Sequence, residues 1–152
     1  MGIIAYYARV DAETLARARQ DTGVVIGQLF DPAFAARVAD VDKAWWPLRQ
    51  LIEHAGAPVD PVTGGTPIHG HSPEDMLLEF TPEQVGTAAA FLSTTPASTI
   101  LAGMVEVEDL AAYGFDSAND DDRAYIAGQY ETLVDQYAKA AETGESIVVF
   151  FS

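Results

Sequence analysis

The chain has 152 residues, 49% of them hydrophobic, and carries 23 Asp and Glu against 8 Lys and Arg, a formal net charge of -15. That length fits one domain with a sizeable core. So acidic a surface repels phosphate backbones and anionic lipid, arguing against nucleic-acid and membrane partners and for a cation, a basic protein or plain solubility. No cysteine is present, which excludes disulfides, thiolate catalysis and Cys-ligated zinc.

In chain order, GIIAYYARV at 2–10 reads as a strand buried on both faces, and so does IVVFF at 147–151. Strands this apolar belong in the interior of a sheet and not at an exposed edge. The opening segment shows no basic stretch or small-residue cleavage site and is too short to span a bilayer, so a cytoplasmic protein is expected. Asp11 is placed to cap a helix through Gln20, with Leu15 and Ala18 facing inward. Residues 21–30 (DTGVVIGQLF) are ambiguous: two glycines oppose a long helix, yet Val24, Val25, Ile26, Leu29 and Phe30 call for burial. Asp31-Pro32 starts a short helix, with Asp as cap and Pro at the first helical position.

Asp42 reads as the cap of KAWWPLRQLIEH, where Trp45, Leu48 and Ile52 fall on one apolar stripe. Trp45 is therefore expected in the core, and Lys43 in solvent or paired with a carboxylate. Trp46, about 100 degrees further round the helix, is the candidate to border a cleft, the alternative being that both indoles fill a large core. Pro47 removes a helical donor and predicts a kink or a helix that begins at Trp46. Residues 55–72 read as a long irregular connection, of the kind that is often functional. A short strand is expected over 77–80.

Thr81-Pro82-Glu83-Gln84 is a capping box, opening a helix to about Ser93. Thr95-Pro96 starts another, broken near Gly103, and 110–113 reads as a further turn. The longest helix is predicted over 120–143, with Tyr125, Ile126, Leu133, Tyr137 and Ala141 inward and Gly144 as its stop. These elements predict an α+β fold: one compact domain over 1–152, a small mixed sheet with the first and last strands central, and helices packed around it.

Few residues point to chemistry. His69-Gly70-His71 could turn two imidazoles to one face of an extended segment, with Glu74, Asp75 or Glu79 supplying a carboxylate. The helical zinc spacing is absent, so no metal is expected. The acidic run DSANDDD lacks the alternation of a calcium loop and is explained by favourable charge at a helix start. Gly64-Gly65-Thr66 lacks the Lys of a phosphate loop, 23–27 lacks the dinucleotide spacing, and no serine sits in a nucleophile elbow. No cofactor is expected. The candidate ligand- or partner-binding residues are Asp42, Lys43, Trp46, His69 and His71. They support a non-catalytic acidic module that binds a basic protein. The alternative is a small-molecule protein or enzyme with its pocket between the Trp46 helix and loop 64–71.

Five segments in order resemble the YfbM-like family, bacterial domains of unknown function: MGIIAYYARV, VDKAWWPLRQLI, GGTPIHG, FTPEQV and YAKAAETGESIVVFFS. The resemblance covers nearly the whole chain. HSPEDMLLEF departs from it, standing where the family has a Gly-Pro-Ala-Arg-type stretch, so a role tied to that arginine does not transfer. The resemblance implies a single α and β domain in the bacterial cytoplasm, and no reaction. Some members are regarded as immunity proteins of toxin systems, a role that suits the acidic surface.

Overall fold

The computed structural model, which describes residues 2–72 and 75–152, holds one five-stranded sheet. Its strands are β1 (Ala5–Val10), β2 (Val38–Asp40), β3 (Thr66–Ile68), β4 (Leu77–Phe80) and β5 (Ser146–Phe151), in the order β2-β1-β5-β4-β3. The two apolar terminal runs thus lie inside the sheet, with β5 at its centre. All pairings are antiparallel, so the sheet expected to be mixed contains no parallel pair.

Alternation along the strands explains why these runs are apolar at every position but Arg9. Tyr7, Phe80, Ile147 and Val149 face one side, and Ala8, Val10, Leu77, Val148 and Phe150 the other. Both sides are covered, so neither set can be polar. Helices α1 (Ala12–Gln20) and α2 (Thr22–Leu29) cover the second side with Leu15, Ala18, Val25 and Leu29. The first side carries the larger core, built with α3 (Trp45–His54), α4 (Pro82–Thr94), α5 (Ala97–Ala102) and α6 (Asp120–Thr143). Edge strands β2 and β3 have three residues each, and Pro67 interrupts β3. Short, proline-marked edges resist pairing with other chains. They are also too short to show a two-residue period, which is why 66–68 read as connection and 38–40 gave no strand signal.

Local signals set most helix ends. Asp11 accepts from the Thr14 N–H at 2.7 Å. Thr81 and Gln84 close the reciprocal capping box, and Gly144 ends α6 at φ 68°. The ambiguous 21–30 segment forms a short helix capped by Asp21, but Val24 and Phe30 remain exposed at 64% and 55%. Only Val25 and Leu29 reach the sheet with their whole side chains, because an eight-residue helix presents two turns to it. On α6 the buried stripe is Ile126, Tyr130, Leu133, Gln136, Tyr137 and Ala140. Ala141, expected inward, is exposed and Tyr125 is half-buried.

Two expectations at the start of α3 are corrected. Asp42 does not cap the helix: its φ is 52°, and Val41 holds the cap position of the short 3-10 turn Asp42–Ala44 without any side-chain bond. The chain must turn sharply from edge strand β2 into α3, and Asp is among the few residues that tolerate the left-handed conformation this takes. Trp45 is half-buried and not in the core. Its ring packs edge-on to Phe151 at 5.2 Å, and Nε1 donates to the Ile3 carbonyl at 2.9 Å. Leu48, Leu51 and Ile52 form the buried stripe of α3, while Trp45 overhangs the end of the sheet. The expected cost of a fully buried tryptophan therefore does not apply to it. Pro47 is third in the helix, where the N–H would have no intrahelical partner, so no kink is needed.

Candidate functional site

The site begins with the turn after β2. Asp42, held in its left-handed conformation, accepts from Tyr125 Oη of α6 at 2.7 Å. Burial, then the bond to Asp42, pushes the Tyr125 phenol up to about 12. It is therefore a donor at neutral pH. This pair ties the start of α3 to α6 and sets the angle at which both indoles leave the helix.

The opposite wall is the segment 103–116. Gly103 lets it approach α3: a Cβ there would lie 3.2 Å from the His54 ring. His54, in the last turn of α3, meets Glu106 at 2.7 Å. At the other end of α3, Trp46 stacks on Tyr113 with centroids 3.7 Å apart and planes 18° from parallel. The segment therefore runs antiparallel along α3, pinned at both ends. Gly114 then turns the chain at φ 86°, and Phe115 folds back to stack on Tyr125.

Between these walls lies a cleft of about 430 Å³ bounded by Ile3, Lys43, Trp45, Trp46, Tyr113 and Phe115. Phe115 also borders a neighbouring depression with Glu108 and Asp116 on its rim. Tyr113 and Ile3 are exposed at 58% and 55%, so the apolar surface continues out of the cleft. Residues 103–122 carry seven carboxylates and no Lys or Arg. Among the described residues only Glu106 of these forms an ion pair, with His54. Nearby cations are few: Lys43, whose stem lies against the Gly2 backbone, and Arg123, which donates to the Ser117 carbonyl. An aromatic cleft with unpaired carboxylates on an adjoining rim has the layout of a recognition surface.

The structure unites part of the expected set. Asp42, Lys43 and Trp46 share this corner. His69 and His71 follow β3, at the edge of the sheet opposite β2, from which the chain turns into α3. Both are exposed, and no residue of 64–71 lines the Trp46 cleft. The pocket expected between the Trp46 helix and loop 64–71 is thus replaced by one closed by 113–115 and the amino-terminal residues. Glu74, named as a possible partner of the histidines, lies outside the described residues, as does Pro73. Among the described residues no three His, Asp or Glu side chains converge on one point. Tyr113, Phe115 and Tyr125 were missed as site residues. The available signal was the pair of aromatics flanking Gly114 in an acidic stretch, an unusual place for exposed rings.

The family model described as Domain of unknown function (DUF1877) matches residues 1–150. The chain belongs to that family. Among solved structures it is similar to YfbM of Escherichia coli, itself a protein of unknown function, at 18% identity and a TM-score of 0.68, with 98% of this chain and 99% of that chain covered. At that identity the likeness concerns the fold. A search of curated proteins gives no match. The YfbM-like resemblance read from the five sequence segments is therefore shown across the whole fold. Among the described residues of this DUF1877 domain, no single helix is long and apolar enough to cross a membrane.

The corner can be tested for stored strain. Asp42→Ala removes the acceptor of Tyr125 and leaves a residue with no polar handle in a left-handed conformation, so it should cost about 1–3 kcal/mol. Asp42→Asn keeps an acceptor and tolerates the same backbone, and should cost less than about 1 kcal/mol. Denaturant unfolding measures both. Equal losses for Asn and Ala would show that neither the turn nor the Tyr125 bond depends on this side chain.

Proposed function

We propose that this DUF1877 domain is a non-catalytic binding module for a basic protein, which seats on the Trp46–Tyr113 cleft. The observation that supports this most directly is a stacked aromatic pair, half-buried Trp46 on exposed Tyr113, in a cleft walled by a segment that carries seven carboxylates and no Lys or Arg. Tryptophan and tyrosine dominate binding energy at interfaces, and charge on the rim governs encounter rate and partner choice. The family resemblance supports a bacterial, cytoplasmic setting. A toxin with a basic surface is one partner class that fits, in which case the domain would serve as its immunity protein.

Affinity capture on the immobilised protein should retain a basic partner at low salt and release it as salt rises, because a Debye length near 3 Å at about 1 M screens the rim. Trp46→Ala should weaken that partner about thirtyfold, the loss of one hot-spot residue. Capture that ignores both salt and Trp46→Ala would place binding elsewhere and end this reading. A second reading is supported by the cleft's volume, which falls within the range of small-molecule sites. Under it, a small aromatic ligand would bind with little salt dependence.

A further inference from the structure

We infer that the group received by this cleft is an arginine side chain of the basic partner, laid flat on the free face of Tyr113. The inference rests on the binding-module reading and specifies its chemistry. Trp46 covers one face of the phenol ring at 3.7 Å, and at 58% exposure the other face is open. A flat aromatic surface accepts another ring, an alkyl group or a planar cation. The charge around it chooses among these.

Glu108 and Asp116 stand on the rim of the depression that shares Phe115 with the cleft, Asp109, Asp120, Asp121 and Asp122 lie within six residues of them along the chain, and none of the six has an ion-pair partner among the described residues. Their field draws in a cation and disfavours an anionic guest. It also disfavours a second copy of this chain, since each carries a net charge of -15. Between the two protein cations, guanidinium is planar, less strongly hydrated and able to stack while its edge N–H groups reach carboxylates, whereas an ammonium is a compact hydrated charge. Lys43 lines the same cleft and opposes any cation that enters it. This fixes the sign of its effect: removing its charge should tighten binding.

The chain has two tryptophans and both border the cleft, so intrinsic fluorescence reports occupancy. The probes are a short Gly-Arg repeat peptide, a Gly-Lys peptide of equal length and charge, and a Gly-Glu peptide, titrated at low salt. The arginine peptide should bind about three- to fivefold tighter than the lysine peptide. Tyr113→Ala should level the two, and Lys43→Gln should tighten both. Both positions are exposed, and circular dichroism with Tyr113→Leu as a bulk-preserving variant separates loss of the ring from loss of fold. Equal affinities in the wild-type protein, or an arginine preference that survives Tyr113→Ala and Tyr113→Leu, overturn the arginine assignment and leave the acidic-module reading standing. Failure of both cationic peptides to bind, or binding of the glutamate peptide, overturns that reading as well.

Discussion

Truncating Tyr137 to Ala will destabilise the protein by about 3–5 kcal/mol, and Tyr137→Phe by about 1–3 kcal/mol. The ring is fully buried between α6 and the sheet, edge-on to Phe80 at 5.9 Å. Its hydroxyl donates to the Pro61 carbonyl at 2.6 Å, and Tyr7 makes the matching bond to the Val62 carbonyl at 3.0 Å. Two buried phenols thus hold the loop after α3, which Asp60 shapes from within by accepting from the Val62 N–H at 2.8 Å. Phenylalanine would keep the packing but strand a buried carbonyl. A Tyr137→Phe variant as stable as the wild type would mean that water or a local shift satisfies Pro61.

The same phenols predict alkaline unfolding. Burial pushes Tyr7 and Tyr137 well above 10.0, with Asp60 adding to both, and raises Tyr125 and Tyr130 to about 12. In the unfolded chain these groups lose their protons near pH 10. Above that pH the unfolded state binds fewer protons than the folded one, so stability falls as pH rises. The contribution is complete below about pH 10 and is lost progressively up to and beyond about pH 12. Tyrosinate absorbance should appear together with loss of helix signal. Ionisation of all six tyrosines near pH 10 with the fold intact would contradict the burial of Tyr7, Tyr130 and Tyr137.

The second large effect concerns Glu145. Its carboxylate is reached by Arg9 at 3.4 Å, and by Arg37 and Thr143, where α6 hands over to β5. Burial alone would raise its pKa, but the bonds from Thr143 and Arg37 and the charges of Arg37 and Arg9 outweigh it and hold it below 4.5. Glu145→Ala leaves the Arg9 side chain, 16% exposed, without its carboxylate, and should cost about 2–4 kcal/mol. Because the folded pKa is lowered, the stabilisation is present above about 4.5 and is lost as pH falls through the folded value. Wild type and variant should therefore differ most near neutrality and converge in acid. A gap that is constant from about pH 7 to pH 3 would show that the loss is packing alone.

Much of the architecture was legible in the residues. Local chemistry decides helix ends, so Asp11, the Thr81–Gln84 box and Gly144 marked theirs correctly. Runs this rich in apolar residues must lie between two covered faces, which placed β1 and β5 inside the sheet before any partner was known. The antiparallel order and the two short edge strands were not legible, because pairing joins residues far apart in sequence and three residues carry no period.

The site divides in the same way. The helical angle of Trp46, away from the stripe of Leu48 and Ile52, made it a candidate for a cleft and left a core position open. Which residues face it depends on how segment 103–116 lies along α3, and that is decided by the close approach at Gly103 and the turn at Gly114. Asp42 looked like a helix cap because caps and left-handed turns favour the same side chain; only the path from β2 into α3 separates the two roles. His69 and His71 were grouped with Trp46 as opposite walls of one expected pocket. They follow β3, at the edge of the sheet opposite β2, from which the chain turns into α3. Composition and periodicity therefore determined the charge, the buried strands and the helix ends of this protein. Tertiary structure alone decided which aromatics meet and which carboxylates surround them, because those contacts depend on strand order and on where glycine lets the backbones close.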